Sequence, residues 1–356
     1  MKKPPYFSDE RTETALAKFR AFWRGESSEP MVSIYTVPAY RQETDPDRMV
    51  AAAVECIRKD AERNELETVP CFWPDFGTIS TARMWGGKIM PARDSGSIHI
   101  EPIARNVDDL ANLRHGTFEE SDFQKAIDLH RRVCERLGTG RVFVRTPDIQ
   151  GPMNTLSLMM EQTELMCAMY EHPEAVHRAL DLVTDLLIAS IHRFMDAVGP
   201  ENVAGNIWPY LTLQGNMGVA VTQDYMPLLG PEHYAEFELP RLKRIADAFG
   251  GVWIHCCGVY RQHLPALRNA DFKIHGLELA YPQMTPMEVY DVFGDEIAYL
   301  VGVSPDGLKD FPTLVSYAQF LSKQTCAKAR FWFCTCWDIE DAEALRRIVK
   351  GGFGKR

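Results

Sequence analysis

The sequence predicts an α/β protein, a single (β/α)8 barrel with an N-terminal helical elaboration, occupying residues 1–356 as one domain. Three observations carry that expectation. Over the last third, apolar runs at 251–256, 273–280, 297–303 and 329–334 alternate with helical patterns near 260–268, 286–293, 312–323 and 338–349, as parallel strands joined by helical crossovers do. Counted along the whole chain, the candidate strands number about eight, which favours a closed barrel over an open doubly wound sheet. No internal repeat or low-complexity segment divides the 356 residues, a length that α/β barrels routinely fill as one unit.

Taken in order, an amphipathic helix over 12–23 opens the chain and stops at Gly25, and a short apolar strand over 31–37 is closed by Pro38. Asp45-Pro46-Asp47 caps a second helix to near Arg63, after which 68–74 reads as a short extended segment ending at Asp75. Residues 88–120 mix short β-like runs with Pro, Asp and Ser, an elaboration over one mouth of the scaffold. From Ser121 the alternation is regular: a helix to near Leu137, a strand over 141–146, and a polar loop over 147–152 that opens another helix. A long amphipathic helix follows Pro173 to near Val198, then a strand at 207–213 and a helix over 231–249.

Composition narrows the function classes. With 46% hydrophobic and 25% charged residues the chain has material for a packed core. Lys and Arg number 39 against 49 Asp and Glu, a formal charge of −10, which argues against a nucleic-acid or anionic-membrane partner. The N-terminus lacks the apolar run of a signal peptide, and no stretch approaches the roughly 20 apolar residues of a membrane span. A soluble, cytoplasmic protein is therefore expected. Nine cysteines, odd in number and thinly spread, fit a reduced compartment better than a disulfide framework. Phosphate-loop, H-E-x-x-H and nucleophile-elbow signatures are absent from the sequence.

The sharpest local feature is Ile254-His255-Cys256-Cys257-Gly258 at the carboxyl end of an apolar strand, with Phe331-Trp-Phe-Cys334-Thr-Cys336-Trp337 at the end of another. Strand ends converge at the carboxyl mouth of an α/β barrel, so His255, Cys257 and Cys334 can meet there. On an extended chain residues two apart share a face, which groups His255 with Cys257 and turns Cys256 away. One imidazole and two thiolates suit Zn2+ with a fourth position open to substrate. Zinc would deprotonate a thiol of ordinary pKa about 8.5 into a nucleophile, and alkyl transfer is the chemistry that follows. The competing reading of the same residues is a buried small hydrophobe and a hydrogen-bonded core histidine.

Together with Gly151-Pro152 before a helix, His172-Pro173-Glu-Ala-Val, Gly230-Pro231-Glu-His-Tyr-Ala-Glu-Phe-Glu-Leu-Pro240 and Phe293-Gly-Asp-Glu-Ile-Ala-Tyr-Leu-Val-Gly302, these motifs resemble the uroporphyrinogen decarboxylase superfamily. Within it, the chain is closest in motif to the zinc-dependent corrinoid:thiol methyltransferases. That resemblance implies zinc ligand roles for His255, Cys257 and Cys334, with Cys336 as the weaker alternative to Cys334. It also implies a corrinoid carried by a partner protein, because no D-x-H-x-x-G sequence for cobalt ligation is present in this chain. By the same resemblance Glu278 lies where related methyltransferases keep a carboxylate able to occupy the fourth zinc position. Asp75, in Phe72-Trp-Pro-Asp-Phe-Gly77, matches the place of the decarboxylases' key aspartate. The arginine-rich N-terminal signature of authentic decarboxylases is absent: Glu29-Pro-Met-Val-Ser-Ile-Tyr35 stands in its place, which disfavours a polycarboxylate macrocycle as substrate.

The expected function is thus zinc-dependent methyl transfer between a corrinoid protein and a small-molecule thiol or similar soft acceptor. The alternatives are a metal-free decarboxylase-like lyase acting on a small carboxylated substrate through Asp75, and a non-catalytic relative that binds a corrinoid or tetrapyrrole. Asp148 and Asp224, each ending an extended segment, are read as helix caps. Trp208, Tyr210 and Gln214 receive no role.

Overall fold

The computed structural model describes residues 9–27, 29–34, 43–63, 69–90, 98–119, 121–206, 212–213, 217–335 and 339–353. Its strands are β1 (Met31–Ile34), β2 (Cys71–Phe72), β3 (Ile89–Met90), β4 (His99–Ile100), β5 (Phe143–Thr146), β6 (Val203–Asn206), β7 (Val219–Thr222), β8 (Val252–His255), β9 (Ile274–Tyr281), β10 (Ala298–Val303) and β11 (Arg330–Thr335). β3 and β4 form an antiparallel pair. The others lie in a six-stranded sheet, β1-β11-β10-β9-β8-β7, and a three-stranded sheet, β2-β5-β6, all of whose ladders are parallel.

Within each parallel sheet the strands follow chain order, and the first strand pairs with the last, Ser33 opposite Cys334. That closing pair is what a barrel requires and an open sheet in chain order lacks. The two sheets are stitched at the carboxyl ends by a parallel bridge between Gln150 and Thr222. Gly151 donates its N–H to the Thr222 carbonyl at 2.8 Å, and Thr222 donates to Ile149 at 2.9 Å. Deeper in the seam a side chain replaces the ladder: Asn206 Oδ1 accepts from the Ala220 N–H at 2.9 Å while its Nδ2 donates to Thr146 Oγ1 at 2.6 Å. The α/β barrel class expected from the alternation is the one observed.

Local signals account for the crossover helices. Asp122–Leu137 starts at Ser121, whose hydroxyl accepts from the Gln124 N–H, and stops at Gly138 in the left-handed region. Its buried face is Phe123, Ala126, Leu129, His130 and Val133. Pro173–Val198 buries Val176, Leu180, Val183, Leu187, Ile191, Phe194 and Val198, a helical stripe along its whole length. Of the strand expected at 207–213, residues 207–211 lie outside the described residues; Thr212 forms an antiparallel bridge to Gly205, and the parallel strands described on either side are β6 and β7. Each is four residues long, too short to register as a periodic run, whereas the bulky apolar stretch between them does. The helix expected over 231–249 is present but contains a π turn, Tyr234–Glu238, with the Leu239 N–H reaching the Tyr234 carbonyl. Pro240 follows, and its missing N–H and bulky ring disturb the regular helical ladder.

Strand alternation sorts the core into two layers. Val32, Phe72, Val144, Val221, Ile254, Leu277, Phe331 and Phe333 pack outward under the helices. Met31, Cys71, Phe143, Ala204, Ala220, Trp253, Ala298, Leu300 and Trp332 point inward. The N-terminal helix, Asp9–Arg24, plugs that interior with Phe19, Phe22 and Trp23. Trp23 lies 5.3 Å from Trp332 and 5.9 Å from Trp253 between ring centroids, and its indole N–H donates to the Thr212 carbonyl at 2.8 Å. The expected N-terminal elaboration is therefore the floor of the barrel.

At Gly276 the backbone of β9 closes tightly on this floor. A Cβ there would lie 2.5 Å from the Ala298 oxygen and 2.6 Å from Trp253 Cε2. Gly276→Ala is expected to destabilise the protein by about 1–3 kcal/mol through overpacking, read as a lower midpoint of urea unfolding; an unchanged midpoint would mean that β9 can move away from Trp253.

Candidate metal centre

Period-two alternation places the site. Trp253 faces inward, so His255, last residue of β8, shares that face two residues nearer the carboxyl mouth. Cys257 follows on the loop, and Asp224 lies at the matching position beyond β7. One donor atom from each of Asp224, His255 and Cys257 falls within 4.8 Å of the others. His255 Nε2 is 3.4 Å from Cys257 Sγ and 3.9 Å from Asp224 Oδ2. The two loops are cross-tied: Asp224 Oδ1 accepts the Cys257 N–H at 2.7 Å, and the Gln223 N–H donates to the His255 carbonyl at 2.7 Å.

Glu278 stands on β9 with its Oε2 against His255 Nδ1, and the Tyr260 hydroxyl donates to its carbonyl at 2.7 Å. A carboxylate on one ring nitrogen fixes the tautomer and aims the other nitrogen, here toward Cys257 and Asp224. Burial works against a charged His255, yet the Glu278 carboxylate, the Cys257 sulfur and Asp224 together hold its pKa well above the ordinary imidazole value. Cys256 turns into the core, where its sulfur accepts the Gly258 N–H and burial pushes its pKa up.

Around this group lie two further carboxyls. Asp148 is buried, accepts from Gln150 Nε2 at 2.7 Å and Thr222 Oγ1 at 3.4 Å, and is pushed up to about 7, chiefly by burial. Asp75 is also buried, its Oδ1 accepting the Gly77 N–H at 3.0 Å. Asp75, Asp224 and His255 all act on the Asp148 charge, which places the four groups in one electrostatic neighbourhood.

The structure thus joins His255, Cys257 and Glu278 and adds Asp224, which the sequence reading assigned to capping. Asp224 does accept a backbone N–H, but that of Cys257 rather than one of a helix. Its signal is an Asp just past an extended segment, a pattern that a helix cap shares. Cys334 is half-buried on the inward face of β11 beside Ser33, outside the group formed by Asp224, His255 and Cys257. Cys336 lies outside the described residues. One imidazole, one thiol and one carboxylate, with a second carboxylate behind the imidazole, form a donor set suited to Zn2+.

Residues 43–203 match the sequence model of the uroporphyrinogen decarboxylase (URO-D) family. No curated protein matches the chain. Among solved structures, a methyltransferase from Methanosarcina mazei superposes with a TM-score of 0.65 and 16% identity, covering 93% of this chain and 96% of that one. A candidate vitamin-B12 independent methionine synthase from Listeria monocytogenes aligns over 91% of this chain and 96% of its own at 14% identity, with a TM-score of 0.47. The superposition on the methyltransferase supports the α/β fold class, and the family match over residues 43–203 bears out the resemblance read from the sequence. The matched segment contains Asp75 and Asp148 and ends before Asp224, His255, Cys257, Glu278 and Cys334. Among the described residues no helix is long and apolar enough to cross a membrane.

Proposed function

We propose that the protein is a zinc-dependent methyltransferase, moving a methyl group between a corrinoid carried by a partner protein and a small-molecule thiol or similar soft acceptor. The observation that carries this reading is the approach of Asp224, His255 and Cys257 to one another at the strand ends, with Glu278 on the far nitrogen of His255. When bound there, Zn2+ would supply the Lewis acidity that lets an incoming thiol lose its proton near neutral pH.

The protein's own residues do the rest. Glu278 keeps the His255 Nδ1 proton and holds Nε2 toward the mouth. Cys257 would hold the metal as the soft donor and Asp224 as the harder, more weakly held oxygen donor. This gives Asp224 the exchangeable role first assigned to Glu278, and Glu278 the task of orienting His255. Cys334, which the resemblance makes a ligand, stands on β11 outside this group, and is the second thiol that would complete the set. The tryptophan and phenylalanine floor closes the lower end of the barrel, so acceptor and methyl donor both arrive from the carboxyl mouth and are aligned there. Asp75 and Asp148 lie buried within the same electrostatic neighbourhood.

One observation favours the metal-free lyase: the family match spans Asp75 and Asp148 and none of the Cys and His donors. Metal analysis and turnover separate the two. The expected result is close to one zinc per chain and zinc-dependent demethylation of methylcobalamin in the presence of a thiol. Decarboxylation of a small carboxylic acid by protein stripped of metal, with no methyl transfer by loaded protein, would establish the lyase instead.

A further inference from the structure

Two sequence motifs have no part in that chemistry: Gly151-Pro152, and Gly230 to Pro240 with its π turn. In the fold they meet at one buried carboxylate. Glu238, the last residue of the π turn, is 2% exposed. Its Oε2 accepts the Met153 N–H at 3.0 Å, one of the unpaired donors at the start of helix Pro152–Met159. Its Oε1 accepts from Gln223 Nε2 at 2.8 Å, and the Tyr234 hydroxyl donates to Gln223 Oε1 at 2.7 Å. A Cβ on Gly151 would stand 3.0 Å from both Glu238 Oε1 and the Thr222 carbonyl, so glycine lets the strap, β7 and the carboxylate close up. Both ends of the π turn therefore grip one side chain, that of Gln223. Gln223 in turn donates its N–H to the His255 carbonyl and precedes Asp224.

We propose that Glu238 is a positioning residue for the metal centre: by clamping Gln223 it fixes the Gln223-Asp224 segment, and so sets where the Asp224 carboxylate stands relative to His255 and Cys257. A π turn is a costly interruption of a helix and recurs at functional sites. Here it turns Tyr234 and Glu238 onto the same glutamine. A merely structural Glu238 would cap helix Pro152–Met159 without communicating with Asp224. This inference rests on the metal reading for its purpose and on the hydrogen-bond chain for its geometry, and the two are tested separately.

Glu238→Gln keeps the shape but leaves one oxygen for two donors, so the Gln223 clamp or the Met153 contact must be given up. Tyr234→Phe removes a single hydrogen bond from the same clamp. The experiment measures zinc affinity by competition with a chromophoric chelator. In protein stripped of metal it also measures the iodoacetamide alkylation rate of Cys257 by peptide mass spectrometry, with exposed Cys167 as the internal reference. Glu238→Gln is expected to weaken zinc binding about tenfold, the scale of an outer partner, and to raise the Cys257 rate severalfold while Cys167 stays constant. Tyr234→Phe shifts both in the same direction, and it decides the matter if Glu238→Gln does not fold. In an Asp224→Asn background Glu238→Gln should change either readout by less than about twofold, because the two act in series. Effects that multiply in full with Asp224→Asn, or an unchanged Cys257 rate in both clamp variants, would overturn the proposal. Should the wild-type chain bind no zinc while the alkylation coupling holds, the metal reading fails and the positioning role stands.

Discussion

His255→Ala and Cys257→Ala are each expected to lose zinc, with affinity falling by more than about a hundredfold, the upper end of what losing an outer partner costs. His255 is central because both its nitrogens are committed: Nε2 faces Cys257 and Asp224, and Nδ1 faces Glu278. Cys257 supplies the soft donor of the group. Glu278→Gln should be milder, about tenfold, because the amide oxygen can still accept the Nδ1 proton while the carboxylate charge is lost. Cys256→Ala should leave affinity unchanged, since that sulfur is buried and faces the Gly258 N–H. Comparing Cys334→Ser with Asp224→Ala tells which of them completes the set. The measurement is zinc stoichiometry on purified protein with chelator competition. Full zinc retention in both His255→Ala and Cys257→Ala would refute a centre at these strand ends.

How far these features were legible depended on run length and on register. The strands of the last third were readable because long apolar stretches end at Gly, Pro or charged residues, and β8 to β11 fall within a residue or two of the expected bounds. The same was true of Pro173–Val198, whose apolar stripe runs over seven turns. β6 and β7 were not readable, because four-residue strands beside a glycine carry too few alternations to stand out. At the site, an Asp that ends an extended segment reads equally well as a helix cap, although Asp224 occupies the same place after its strand as Cys257 does after β8. His255 and Cys257 were found because their spacing is itself the strand period. The orientation of Glu278 needed the β8–β9 register, Ile254 opposite Leu277, which no spacing within one strand encodes. The π turn was likewise invisible: Pro240 warns of a disturbed helix, but the grip on Gln223 arises only when Gly151 lets distant elements touch.

Trp332→Ala is expected to cost about 3–5 kcal/mol of stability, the range for deleting a large aromatic from a core. Trp332 is fully buried on the inward face of β11, stacked on Phe19 at 5.1 Å and packed against Phe22 and Trp23 at 6.1 and 5.3 Å. It ties the N-terminal helix to the strand that closes the barrel against β1. Removing it opens a cavity between elements that cannot collapse together, because Trp23 is anchored to Thr212 and Trp253. Trp332→Phe should be far milder. The indole Nε1 is buried with no hydrogen-bond partner among the described residues, so phenylalanine keeps most of the ring contacts while removing an N–H whose burial is itself unfavourable. If the chain is one domain, as proposed, the loss in Trp332→Ala should shift the whole urea transition to lower denaturant without splitting it. A Trp332→Ala protein within about 1 kcal/mol of wild type would mean that the N-terminal helix rests on the barrel without securing it. Two separate transitions in wild type, with only one moved by the substitution, would instead assign the plug to a smaller cooperative unit than the barrel as a whole.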